Sequence, residues 1–260
     1  MNMNKALKAA IAAGAFILVG LTGWLIWKSN RDSQMQKTCE GLKVKYTDQY
    51  TFVTPTDIEE YLKNDYGAYI GQRLDSVDLE KVERILDSKS AVLKAEAYTT
   101  PDRYLNVKIS QRSPVVRFQK GDFGFYADER GFLFPLQDNF TSRVPVIDGN
   151  VPLSIESGYK GEPKTDREKE WLAQAIDLAN FIKGSKTWSG NISQMTVNED
   201  GDIVMVPRDG NERFIFGTPD EAQEKFDKIG KYYTAIIPAK GEGVYKTVNV
   251  KYKGQIVCRK

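Results

Sequence analysis

The stretch SVDLEKVERILDSKSAVLKAEAYTTPDRYLNVKISQRSP, Ser76–Pro114, changes its hydrophobic period once. Val77, Leu79, Val82, Ile85 and Leu86 recur at helical spacing, with Ser76 or Asp78 available as a cap. The pattern then switches to alternation. Val92, Ala95 and Ala97 mark one strand, and Leu105, Val107 and Ile109 mark a second beyond a turn at Thr100–Arg103. Pro114 ends the run because it cannot donate to a ladder. Working outward, TPTDIEEYLKND at Thr54–Asp65 reads as an earlier helix capped by Thr54 or Thr56, with Ile58, Tyr61 and Leu62 as its stripe. GLKVKYTD before it alternates Leu42, Val44 and Tyr46 on one face. The order is β-α-α-β-β, which predicts an α+β fold with two helices covering one face of a three-stranded sheet.

Beyond Pro114 the pattern becomes short strands and turns: VVRFQ, FGFYAD, FLFPL and VPVIDG. A long helix is predicted over TDREKEWLAQAIDLANFIK, with Thr165 as its cap. Strands resume in ISQMTVNEDGDIVMVPRDGNERFIFG, and a further helix starts with Thr218 as cap and Pro219 at its first position. The chain then reads YKTVNVKYKGQIVCRK, Tyr245–Lys260. Val248, Val250 and Tyr252 are expected on one face of a strand, and Lys253-Gly254 as a two-residue hairpin turn. This second module is expected to be a β-rich domain of antiparallel strands with packed helices. The expected boundaries are 38–113 and 114–260.

Composition narrows function. The chain of 260 residues has 37 basic and 35 acidic side chains and no histidine. The near balance argues against nucleic acid, and the missing imidazole removes the Ser-His-Asp and Cys-His constellations and His-ligated zinc. The carboxylates Glu59-Glu60, Asp128-Glu129 and Glu199-Asp200-Asp202 read as surface charge in turns and on helix faces. No catalytic, cofactor-binding or metal residue is assigned, and the chain is expected not to be an enzyme. Two cysteines, Cys39 and Cys258, leave two readings open: a disulfide outside the cytoplasm, or two separately buried thiols.

Ala9–Trp27, AAIAAGAFILVGLTGWLIW, is uncharged. As a helix it would span about 28 Å, close to the hydrocarbon thickness of a bilayer. It is expected to be an uncleaved transmembrane anchor, with residues 1–8 cytoplasmic, residues 28–37 a linker, and the rest of the chain exported.

The phrases TFVTPTDIEEYL, SVDLEKVERILDSKSAVLKAEAY, LNVKISQRSPVVRF and FYADERGFLFPL resemble the FtsQ/DivIB family of bacterial cell-division proteins, in its Bacteroidetes-like form, and the first module resembles a POTRA domain. The resemblance implies a bitopic inner-membrane scaffold of the divisome at the division septum. It implies that FtsB, paired with FtsL, docks by strand addition at the C-terminal edge, and that other divisome proteins meet the POTRA part. Matched to VNVKYKG, the implied docking residues are Val248, Val250, Lys251, Tyr252, Lys253, Gly254 and Gln255. Two other readings remain: a POTRA-bearing assembly factor for outer-membrane or secreted proteins, and a membrane-anchored envelope enzyme.

Overall fold

The computed structural model describes residues 17–29 and 37–260. Residues 17–29 form helix α1, whose side chains are all exposed. The Thr22 hydroxyl turns back onto the Leu18 and Val19 carbonyls, so its one polar group is satisfied within the helix. Residues 9–16 of the expected anchor lie outside the described residues, as does most of the expected linker. Among the described residues no helix is long and apolar enough to cross a membrane.

The rest divides into two compact units, Thr54–Ser110 with the chain before Tyr50, and Gln111–Lys260 with the short segment Tyr50–Val53. The first has the expected order: β1 (Gly41–Tyr46), α2 (Pro55–Tyr61), α3 (Leu79–Asp87), β2 (Val92–Thr99) and β3 (Tyr104–Gln111). Thr54, not Thr56, caps α2 through a reciprocal box with Asp57, and Asp78, not Ser76, caps α3. The sheet runs β1-β3-β2, with β1 parallel to β3. Ile58, Leu62, Val82 and Leu86 are fully buried, as are Leu105 and Ile109 of β3. The outer row of β2 is already used. Ala95 N–H donates to Asp87 Oδ1 and Ala97 N–H to Glu83 Oε1, each at 2.7 Å, so side chains of α3 occupy that edge.

The second unit is one nine-stranded sheet with helices. Its elements are β4 (Pro114–Lys120), β5 (Phe123–Asp128), β6 (Leu133–Pro135), β7 (Val146–Gly149), α4 (Asp166–Gly184), β8 (Ile192–Val197), β9 (Ile203–Pro207), β10 (Arg213–Gly217), α5 (Ala222–Lys231), α6 (Ile237–Lys240), β11 (Thr247–Asn249) and β12 (Val257–Arg259). The order across the sheet is β12-β11-β10-β9-β8-β7-β4-β5-β6. The expected purely antiparallel arrangement is corrected here: β4–β7, β7–β8 and β10–β11 are parallel. Helix α4 lies between β7 and β8 in the chain, and α5 between β10 and β11. A connection of that length carries the chain back to start the next strand in the same direction.

The rung Phe118, Ile147, Met195, Met205 and Phe214 runs across five strands and is buried throughout. Leu172, Ala175 and Ala179 of α4 and Phe226 and Ile229 of α5 complete the same core. Tyr126 and Phe134 pack against Phe52, at ring-centroid distances of 5.8 and 6.0 Å, with Phe140 at 4.9 Å from Phe52. Val53 N–H donates to Gln111 Oε1 at 2.9 Å, which fixes the Tyr50–Val53 segment within this unit.

Thr165 caps α4 as expected, in a box with Glu168. Thr218 does not cap α5, which begins only at Ala222 after Glu221 at φ +49°. The buried Lys225 explains the delay. Its ammonium donates to the Thr218 and Asp220 carbonyls and the Asp220 carboxylate, which holds residues 218–220 as a loop around the charge.

Candidate docking edge

The C-terminal hairpin leans on β10 and on α5. Strand β11 pairs in parallel with β10, as Phe214↔Val248 and Ile215↔Asn249. On its other side it pairs antiparallel with β12, as Thr247↔Arg259, Val248↔Cys258 and Asn249↔Val257. The expected two-residue turn is therefore corrected to a connection over residues 250–256. The alternation stops because Val250 still belongs to the sheet: its N–H donates to the Ile215 carbonyl at 3.0 Å and its side chain is fully buried.

Three polar contacts then hold the connection. Lys251 Nζ reaches Asp202 Oδ2 at 2.7 Å, and this carboxylate raises the lysine pKa above its ordinary value. Lys228 of α5, nearly buried, donates to the Tyr252 carbonyl at 2.8 Å. Gly254 N–H donates to Glu224 Oε1 at 3.3 Å. That bond, with Lys228 beside it, holds the Glu224 carboxyl below its usual range. Gly254 sits at φ +70°, a conformation that costs glycine nothing.

The residues expected to dock a partner thus divide. Val248 and Val250 are fully buried; Val248 lies in β11 with a strand on each side, and the Val250 N–H is taken by the Ile215 carbonyl. Lys251 is held by Asp202, while Tyr252, Lys253, Gly254 and Gln255 are exposed on the connection. The strand at the border is β12, whose Val257, Cys258 and Arg259 were not among the docking residues expected from the sequence. One signal pointed to them. A helix between β10 and β11 implies a parallel pair, and that leaves the opposite side of β11 for β12.

Among the described residues β12 has β11 as its only ladder neighbour. The Arg259 carbonyl accepts from Lys246 N–H at 2.9 Å, on the β11 side. Successive residues of a strand direct their main-chain groups to opposite sides, so the N–H and C=O of Cys258 point away from the sheet. The Cys258 side chain is half-buried, and burial pushes its thiol pKa up. Both cysteines are free thiols, and the Cys39 thiol is buried, with its sulfur 3.5 Å from the Gly41 carbonyl oxygen.

The carboxylates read as surface charge are put to structural use. Asp128 is buried, pairs with Arg112 at 2.8 Å and accepts the Arg130 and Phe132 N–H groups across the β5–β6 turn. Asp202 holds Lys251.

A family model described as FtsQ/DivIB, C-terminal related, matches residues 113–259, and one described as a POTRA-like domain matches residues 37–110. Comparison with curated proteins gave no match.

Proposed function

Because the chain belongs to the FtsQ/DivIB family, in its C-terminal-related group, and is a cell-division protein, we propose that it is a non-catalytic divisome scaffold that captures FtsB, paired with FtsL, along the outer side of β12. An extended FtsB segment becomes the tenth strand of the sheet. Its main chain bonds Cys258, and its side chains meet the exposed connection at Tyr252–Gln255. The segment Ala9–Trp27 tethers the scaffold in the inner membrane, with the N-terminus cytoplasmic and both units periplasmic. Held there at the septum, the scaffold links early division proteins to septal wall synthesis.

The observation that supports this reading is the outer row of β12, unpaired among the described residues, in a sheet whose other border is covered. The test is capture of FtsB by the full chain and by Cys258→Pro. Proline is tolerated on an edge strand when the lost N–H faced outward, so the variant keeps its fold while capture falls by about tenfold or more. Unchanged capture by the folded variant refutes docking on this strand.

A further inference from the structure

Away from β12, a groove of about 1030 Å³ opens where β7 and β8 begin. The β7–β8 ladder starts at Ile147↔Met195, so the chain ahead of it parts, with Val146 on one wall and Ile192 on the other. Three cations line the groove: Arg143 before β7, Lys183 in the last turn of α4, and Arg208 after β9. All three are exposed, and none has an ion-pair partner among the described residues. Asp148 lies in the same groove. Its Oδ2 accepts from Gln194 Nε2 at 3.2 Å, while its Oδ1 is buried without a donor.

We propose that this groove is a second docking site, and that its occupant is an acidic peptide segment of a partner protein. Charge complementarity selects the occupant: three unneutralised cations attract carboxylates, and Val146 and Ile192 offer apolar contact between them. Val146 and Ile192 between the cations favour an occupant that brings apolar side chains together with its carboxylates, which a peptide does and a phosphate does not. The groove strands β8 and β7 lie four and five strands from β12 in the sheet order, so the two sites act separately.

The test uses the full chain in neutral phosphatidylcholine nanodiscs and a fluorescein-labelled peptide of alternating Glu and Val, read by anisotropy. Saturable binding is expected. It should weaken by about tenfold in the combined variant Arg143→Gln, Lys183→Gln, Arg208→Gln and at high salt. The variant Lys240→Gln, Lys253→Gln, Lys260→Gln, with the same change in charge elsewhere, should bind like the original. Because the three groove cations are exposed, the melting temperature should not move, and FtsB capture should be retained, which separates this outcome from failure of the β12 reading. The proposal is overturned if the peptide does not bind, or if both triple variants lose it equally. It is also overturned if phosphatidylglycerol vesicles, and not the peptide, bind in a manner that needs the three cations.

Discussion

The nine-stranded sheet has two borders, and they are built differently. At β6 the outer row is closed. Leu133 exchanges two main-chain hydrogen bonds with Gly161, at 2.8 and 2.9 Å, and Pro135 has no N–H to offer. The small sheet closes its β2 border by another route, with the carboxylates of Asp87 and Glu83. At β12 no residue of the described chain takes the outer row. An open edge invites indiscriminate pairing, and natural sheets cover or charge such edges. The two borders therefore differ in whether the described chain itself takes the outer row. β12 is short, ends in Arg259 and is followed by Lys260, charges of the kind that limit indiscriminate pairing.

The contrast is broken most severely from the inside of the hairpin. Val250→Pro removes the N–H that bonds Ile215 and distorts a fully buried site. A loss of about 3 kcal/mol or more is expected in thermal or urea unfolding. This variant reports on the sheet and not on docking, unlike Cys258→Pro. If Val250→Pro folds normally, β11 is not the interior strand described.

Opening the closed border is the next test. Gly161 at φ +133° donates its N–H to Leu133, and proline can supply neither the angle nor the donor. Gly161→Pro should destabilise by about 1–2 kcal/mol and make the β6 border prone to self-association, measured by light scattering. A monodisperse variant of original stability would show that Gly161 does not guard this edge.

Acid acts on the same border. Burial raises the Glu168 pKa, but N–H groups of Ser154 and Thr165 outweigh it, and the carboxyl is held down at about 2. These bonds pin the two ends of the loop that carries Gly161. A carboxyl depressed in the folded state stabilises above its unfolded value near 4.5, and the benefit fades as pH falls from there towards 2. Stability of the original chain should drop over that window, and Glu168→Gln should flatten the drop. Equal acid sensitivity in both proteins would remove Glu168 from the account.

The smallest effect is expected at the connection. Lys228→Met frees the Tyr252 carbonyl and should cost about 1 kcal/mol. FtsB capture should weaken only a few-fold, because the β12 ladder itself survives. A loss as large as that of Cys258→Pro would move the docking determinant from the strand to the connection.

Local signals made much of this architecture legible. The switch from helical to alternating period at Ser76–Pro114 carried the first unit, and Thr165 carried the start of α4. What the sequence did not disclose was set by partners distant in the chain. Thr218-Pro219 has the chemistry of a helix start, yet Lys225 claims the Thr218 and Asp220 carbonyls. Lys253-Gly254 has the chemistry of a tight turn, yet Val250 remains paired to β10 and lengthens the connection. Alternation placed Val248 and Val250 on one face, but it cannot tell an interior strand from a border strand. That distinction depends on neighbours, and it moved the candidate site from Val248–Val250 to Cys258.

Hydrogen–deuterium exchange on the full chain, alone and with FtsB, addresses the central claim most directly. The amide of Cys258 should exchange readily in the free protein and become strongly protected on binding, while that of Leu133 at the β6 border stays protected in both. A Cys258 amide already protected in the free chain, or unchanged by FtsB, would contradict the account.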